Sequence, residues 1–283
     1  LLSFYQESGL YTDLSEYRSK LSVLHDAHEE IIRFIKSLLI HPIVAREAGV
    51  RFNARKTQRA QLDFRTAKAI LAHPRVASLL QRESLVSGTV PDERAILSCD
   101  HHAVLFTAIL RLKGHPVRAR CGYATYLVPD KLTPHWLCEV YDPGCSKWMM
   151  VDPEQARLNL VPGAFLRAGE SWRAFRKGEL AMDTVLPDYR GGADGLKYRL
   201  LNDVNALLKH ELLNYDWLLR ASPPEKPRLF SKRVTSLDDA EMALLDDLAA
   251  ASLDVDAHLG QLQALYDRYV GEEHLPVAAD RNA

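Results

Sequence analysis

The chain has little that would mark an extracellular, membrane-bound or nucleic-acid-binding protein. It has only four cysteines in 283 residues, all between positions 99 and 145. That is too few for a disulfide scaffold, and the expectation is reduced thiols in the cytoplasm. No basic stretch followed by an apolar run opens the chain, so no signal peptide is expected. No apolar run approaches the ~20 residues of a membrane span, so none is predicted. The formal net charge is −1, which leaves no basic field to attract nucleic acid and no acidic excess of the kind found in solvated tails. Internal repeats and low-complexity tracts are absent as well. The remainder is 47% hydrophobic and 26% charged, the balance of a globular domain large enough for a full core.

The apolar spacing of Leu21, Leu24, Ile31, Ile32, Phe34, Ile35 and Leu39 predicts helix over 14–40. Two shorter helical pieces follow, "AQLDFRTAKAILAH" and "RVASLLQRESLV", parted by Pro74, and then a loop, "SGTVPDER". A long helix starts at Cys99. Beyond it "HPVRARCGYATYLV", "HWLCEVYD" and "KWMMVD" are β-branched and aromatic and read as strands. The segment 162–195 reads as loop with one short helix near "SWRAFRKG". "GLKYRLLNDVNALLKHELLNYDWLLR" reads as helix, "SPPEKPR" as a linker, 237–270 as an acidic helical region, and "PVAADRNA" as a frayed end. Helices, then a helix with a small sheet, then helices again make an α+β chain.

Chemistry gathers in the middle. Ser98 suits an N-cap and Gly114 suits the residue past the C-terminus, with Arg111 and Lys113 in the last turn. Cys99 then occupies the first helical position, where unpaired N–H groups and the positive dipole end favour a thiolate. Asp100 opposes that effect, and a charged His101 or His102 would reinforce it. The two strands after it suggest a hairpin turning through Asp142–Cys145. In that register Tyr141 faces Ser146 and His135 faces Asp152, with Cβ atoms ~4.5–5.5 Å apart. Both faces of this ribbon are apolar, so helices must cover it. A thiol, an imidazole and a carboxylate brought together in this way are the set nucleophilic catalysis needs.

The ordered series "C-D-H-H-A…G-H-P-V-R-A-R-C-G-Y…H-W-L-C-E-V-Y-D…W-M-M-V-D-P", from about Ser98 to Pro153, resembles the transglutaminase-like superfamily. The flanks resemble an uncharacterised bacterial subgroup. The resemblance implies a papain-like α+β core, in which the cysteine helix packs on a small antiparallel sheet between helical flanks. It also implies a Cys99–His135–Asp152 triad acting through a thioester, with no metal or cofactor. Relatives often carry an acid two residues after the cysteine, where this chain has His101, with Asp100 one earlier. That departure touches substrate contacts rather than the nucleophile. The family's side-chain oxyanion donor has no counterpart in "VPDERAIL". The expected organisation is one domain over 1–283, with the catalytic core at about 86–160 and helical flanks at 12–85 and 195–270.

His101, His102, Tyr123 and Trp136 are weaker substrate-binding candidates, with one of the two histidines expected to be exposed and the other near the site. Arg118 and Arg120 could bind a carboxylate, although ion pairing within the fold is the simpler role. A rival zinc site from His101, His102, His135 and Cys138 is disfavoured, because Cys138 lies three residues from His135 on a strand and faces the other way. The remaining cysteines read as structural. The expected function is acyl transfer from a Cys99 thioester to an amine. The substrate would be small, a peptide or carried on a protein, with no nucleic-acid or membrane partner. The alternatives are a cysteine amidase or peptidase, and an inert binding protein of the same fold. The sequence leaves donor, acceptor and oligomeric state open.

Overall fold

The computed structural model describes residues 1–82, 89–187, 190–212 and 228–270. Residues 213–220 of the expected "GLKYRLL…" helix, most of the "SPPEKPR" linker, "PVAADRNA" and part of the loop before Cys99 lie outside the described residues; within them that helix ends at Leu207, short of its expected length. The chain divides into two compact units. One comprises residues 2–119 and 137–160. The other comprises Leu1, 120–136 and 161–283.

The first unit opens with short helices. They are α1 (Leu2–Gln6), α2 (Arg18–Leu21), α3 (His28–Leu38), α4 (Pro42–Glu47), α5 (Ala54–Gln61), α6 (Ala67–Ala72) and α7 (Pro74–Leu79). The single helix expected over 14–40 is therefore broken, and α3 is its amphipathic core, burying Ile31, Ile32, Phe34 and Ile35. Two residues after it form β1 (Leu39–Ile40), which pairs in parallel with β2 (Ala95–Ile96). This pair brings the chain to Ser98. Helix α8 (Cys99–Leu112) follows, with Gly114 at φ +83° just past its end. A left-handed residue there suits glycine, which has no Cβ to clash. Every residue from Cys99 to Arg111 is buried, so α8 is a core helix rather than an amphipathic one.

The sheet is four-stranded in the order β5-β4-β3-β6, where β3 is Val117–Ala124, β4 Thr133–Asp142, β5 Lys147–Val151 and β6 Phe165–Arg167. The boundary between the two units passes through β3 and β4. The β4–β5 register pairs Asp142 with Lys147, Tyr141 with Trp148 and Cys138 with Val151. The turn is therefore Pro143–Ser146, two residues out of step with the expected hairpin. The turn's own chemistry accounts for the shift. The Asp142 carboxylate accepts from the Gly144 N–H at 2.8 Å, and Ser146 takes a left-handed φ of +54°. Asp142 thus closes the ladder opposite the cation of Lys147.

In the second unit, Gly122 on β3 pairs with Arg167 on β6. A Cβ at Gly122 would lie 2.2 Å from the Leu166 carbonyl oxygen, so this close approach requires glycine. Helices α9 (Ala168–Arg176), α10 (Gly192–Leu207), α11 (Arg228–Ser231), α12 (Asp239–Leu253) and α13 (Val255–Val270) complete the unit. The indole N–H of Trp172 on α9 donates to Asp246 on α12 at 2.8 Å. Buried Arg120 makes a two-point pair with Asp203 of α10 (2.9 and 2.8 Å). Arg118, in the first unit, pairs with Glu139 at 2.6 Å and lies over the Trp148 ring. Both arginines thus serve ion pairs within the fold. No described helix is long and apolar enough to cross a membrane.

Candidate active site

The start of α8 is organised by a polar knot. Ser98 sits at the N-cap with extended backbone, but its hydroxyl makes no capping bond. Instead it donates to Asp100 Oδ1 at 2.6 Å. The same oxygen accepts from the His101 backbone N–H (3.0 Å) and lies 2.9 Å from His101 Nδ1. His101 Nε2 lies 3.3 Å from the Gln61 carbonyl, and the Gln61 amide reaches back to the Ile96 carbonyl at 3.2 Å. His102 donates from Nδ1 to the Ser98 carbonyl at 3.0 Å. Burial holds its pKa down at about 4, so it is neutral at pH 7. Neither histidine is exposed, contrary to expectation: a helix buried all round has no wet side for one of them to take. Asp100 and Gln61 occupy both ring nitrogens of His101. These contacts fix where Cys99 sits, with its sulfur at the positive end of a buried helix.

The Sγ of Cys99, a ring nitrogen of His135 and a carboxylate oxygen of Glu154 all lie within 4.8 Å of one another, and all three residues are buried. His135 stands near the start of β4 with its ring edge-on to Tyr126, at a centroid distance of 6.4 Å. Cysteine and histidine, 36 positions apart in the chain, are thus neighbours. Glu154 was not anticipated. The β4–β5 ladder ends at Cys138–Val151, so no strand alternation points to it.

Asp152 is fully buried and organises the turn that carries Glu154. Its Oδ1 accepts from the backbone N–H groups of Glu154 and Gln155, both at 2.9 Å. Its backbone bridges to Arg157 in both directions, at 2.8 and 3.0 Å. The β4–β5 ladder ends at Cys138–Val151, before either His135 or Asp152, and its register lies two residues from the expected one.

Of the weaker candidates, Tyr123 and Trp136 are buried in β3 and β4. The zinc set His101, His102, His135 and Cys138 does not gather among the described residues. The Cys138 sulfur instead lies 3.4 Å from Thr107 Oγ1 and 3.5 Å from the Ala103 carbonyl on α8. Among the described residues, Cys99, His135 and Glu154 are side chains able to hold a cation, a thiolate, imidazole and carboxylate set of the kind Zn²⁺ accepts.

Residues 55–153 match the family model of the transglutaminase-like superfamily. No curated protein matches the chain. A crystal structure of a candidate cysteine protease from Cytophaga hutchinsonii is similar at a TM-score of 0.34 and 14% identity, covering 58% of this chain and 44% of that one. The chain therefore spans under half the length of that protein.

Proposed function

We propose that this chain, which carries a transglutaminase-like core over residues 55–153, is a cysteine enzyme that forms an acyl-thioester on Cys99 and transfers the acyl group to an amine. The observation that carries this reading is the pairing of sulfur and imidazole. A buried cysteine at the first position of a core helix has a histidine nitrogen within 4.8 Å. That is close enough for direct proton exchange after a small side-chain adjustment, as resting enzymes often require.

In this reading His135 takes the Cys99 proton as the sulfur attacks the acyl carbonyl. The imidazolium returns that proton to the leaving group, and the thioester remains. An amine then attacks, its proton passes to His135 and on to the departing sulfur, and an amide is released. Asp152 orients the imidazole and stabilises its charged form. The dipole of α8 favours the thiolate at the start and at the end of the cycle. Water in place of the amine gives the amidase or peptidase. The burial of all three central side chains favours transfer, because a dry site protects the thioester from hydrolysis.

The test is mass spectrometry of the intact protein after exposure to small thioester donors, with and without alkylamines. The expected result is an acyl adduct mapped to Cys99, discharged faster by amine than by water. Cys99→Ser should lower turnover by about 10⁴-fold or more. Absence of any adduct at Cys99 would overturn the enzyme reading. Discharge at one rate with or without amine would leave only the hydrolase.

A further inference from the structure

Glu154 is 8% exposed, and its carboxylate is half satisfied. Oε1 accepts from the Gln155 side-chain amide at 2.9 Å. Oε2 is buried and has no hydrogen-bond partner. The residue is firmly placed, since its backbone N–H is held by Asp152 and its carbonyl accepts from Lys36 Nζ at 2.7 Å. Burying a carboxylate oxygen without a donor is unfavourable. Native proteins keep such groups where something completes them. Asp203, another buried acid, has both oxygens filled by Arg120 and the Cys121 N–H.

The vacant oxygen belongs to a carboxylate within 4.8 Å of the Cys99 sulfur. In a thioester cycle the atom that passes beside that sulfur is the nitrogen bonded, or about to be bonded, to the acyl carbon. An ionised carboxylate only accepts hydrogen bonds, and it accepts most strongly from a cation. We infer that Glu154 is the amine-binding residue of this site: Oε2 accepts from the N–H of a primary alkylamine. This rests on the thioester reading above. The protons balance. The ammonium releases one proton to solvent and then attacks, its second passes through His135 to the departing sulfur, and an amide and the free thiol remain. Glu154 only accepts a hydrogen bond and exchanges no proton.

The experiment measures the rate at which iodoacetamide alkylates Cys99 in the whole protein near neutral pH. Millimolar n-butylamine is compared with n-butanol, which has the same shape without the charge. The expected result is about tenfold slowing by the amine and almost none by the alcohol, the difference a charge-assisted hydrogen bond produces. In Glu154→Gln the protection by amine should fall to that of the alcohol. Equal protection by both, or by neither, overturns the inference while leaving Cys99 reactive. Amine protection that persists in Glu154→Gln overturns it too. Failure of Cys99 to label selectively would instead strike the thioester reading itself. The comparison of amine with alcohol in the unaltered protein decides the matter even if the variant does not fold.

Discussion

Arg120 with Asp203, and Cys99 with Glu154, are both ionisable groups carried into a dry interior, and they are treated in opposite ways. Around Asp203 every acceptor is filled: two guanidinium N–H groups and the Cys121 N–H reach it, and Arg120 also donates to the Ser252 carbonyl at 3.3 Å. Around Glu154 one oxygen is filled by a neighbouring residue and the other has no donor, in a carboxylate that lies within 4.8 Å of a thiol. A saturated buried pair has no capacity left for a ligand, and its consequence is a fixed fold. An unsaturated one leaves hydrogen-bonding capacity that a ligand can complete.

The contrast fails if the two acids behave alike on mutation. Asp203→Ala leaves Arg120 charged and buried, and it should lower unfolding stability by about 3–5 kcal/mol in urea titrations. A loss under about 1 kcal/mol would show that the pair is not what fixes this region.

Acid should expose a second asymmetry. The folded pKa of His102 lies at about 4, below its ordinary 6.5, because burial disfavours the imidazolium. The native state therefore binds fewer protons than the unfolded chain between those values. Stability should fall as pH drops from ~6.5 to ~4, by about 3 kcal/mol in all, and level off below. His102→Asn keeps a donor for the Ser98 carbonyl and should flatten this part of the acid limb, read from urea midpoints at several pH values.

The smallest effect is the sharpest contrast. Glu154→Gln removes a charge whose Oε2 has nothing to lose and keeps the Oε1 acceptor for Gln155. Unfolding stability should stay within about 1 kcal/mol or rise, even where amine protection is lost. A loss as large as that of Asp203→Ala would make Glu154 a structural acid and erase the distinction.

Much of the frame was legible along the chain. Ser98 and Gly114 bracket α8 correctly, because the N-cap position and left-handed exit are local requirements. The strands 117–124, 133–142 and 147–151 follow from β-branched and aromatic runs. The neighbourhood of Cys99 and His135 was expected and is present. The two-residue β1 and β2 and the three-residue β6 escaped, since pairs so short have no pattern of their own and exist only through their partners. The hairpin register escaped because it turned on one side chain, Asp142, folding over Gly144.

The sequence by itself determined where α8 starts, that a thiol stands at that start, and that an imidazole arrives on the second long strand. These are matters of caps and alternation, and each is set within a few residues. Which acid meets the sulfur was decided only by the tertiary structure. Asp152 spends Oδ1 on the backbone of its own turn, and that turn carries Glu154 inward. A hydrogen bond that redirects the chain after a strand ends has no periodic trace in the residues it redirects.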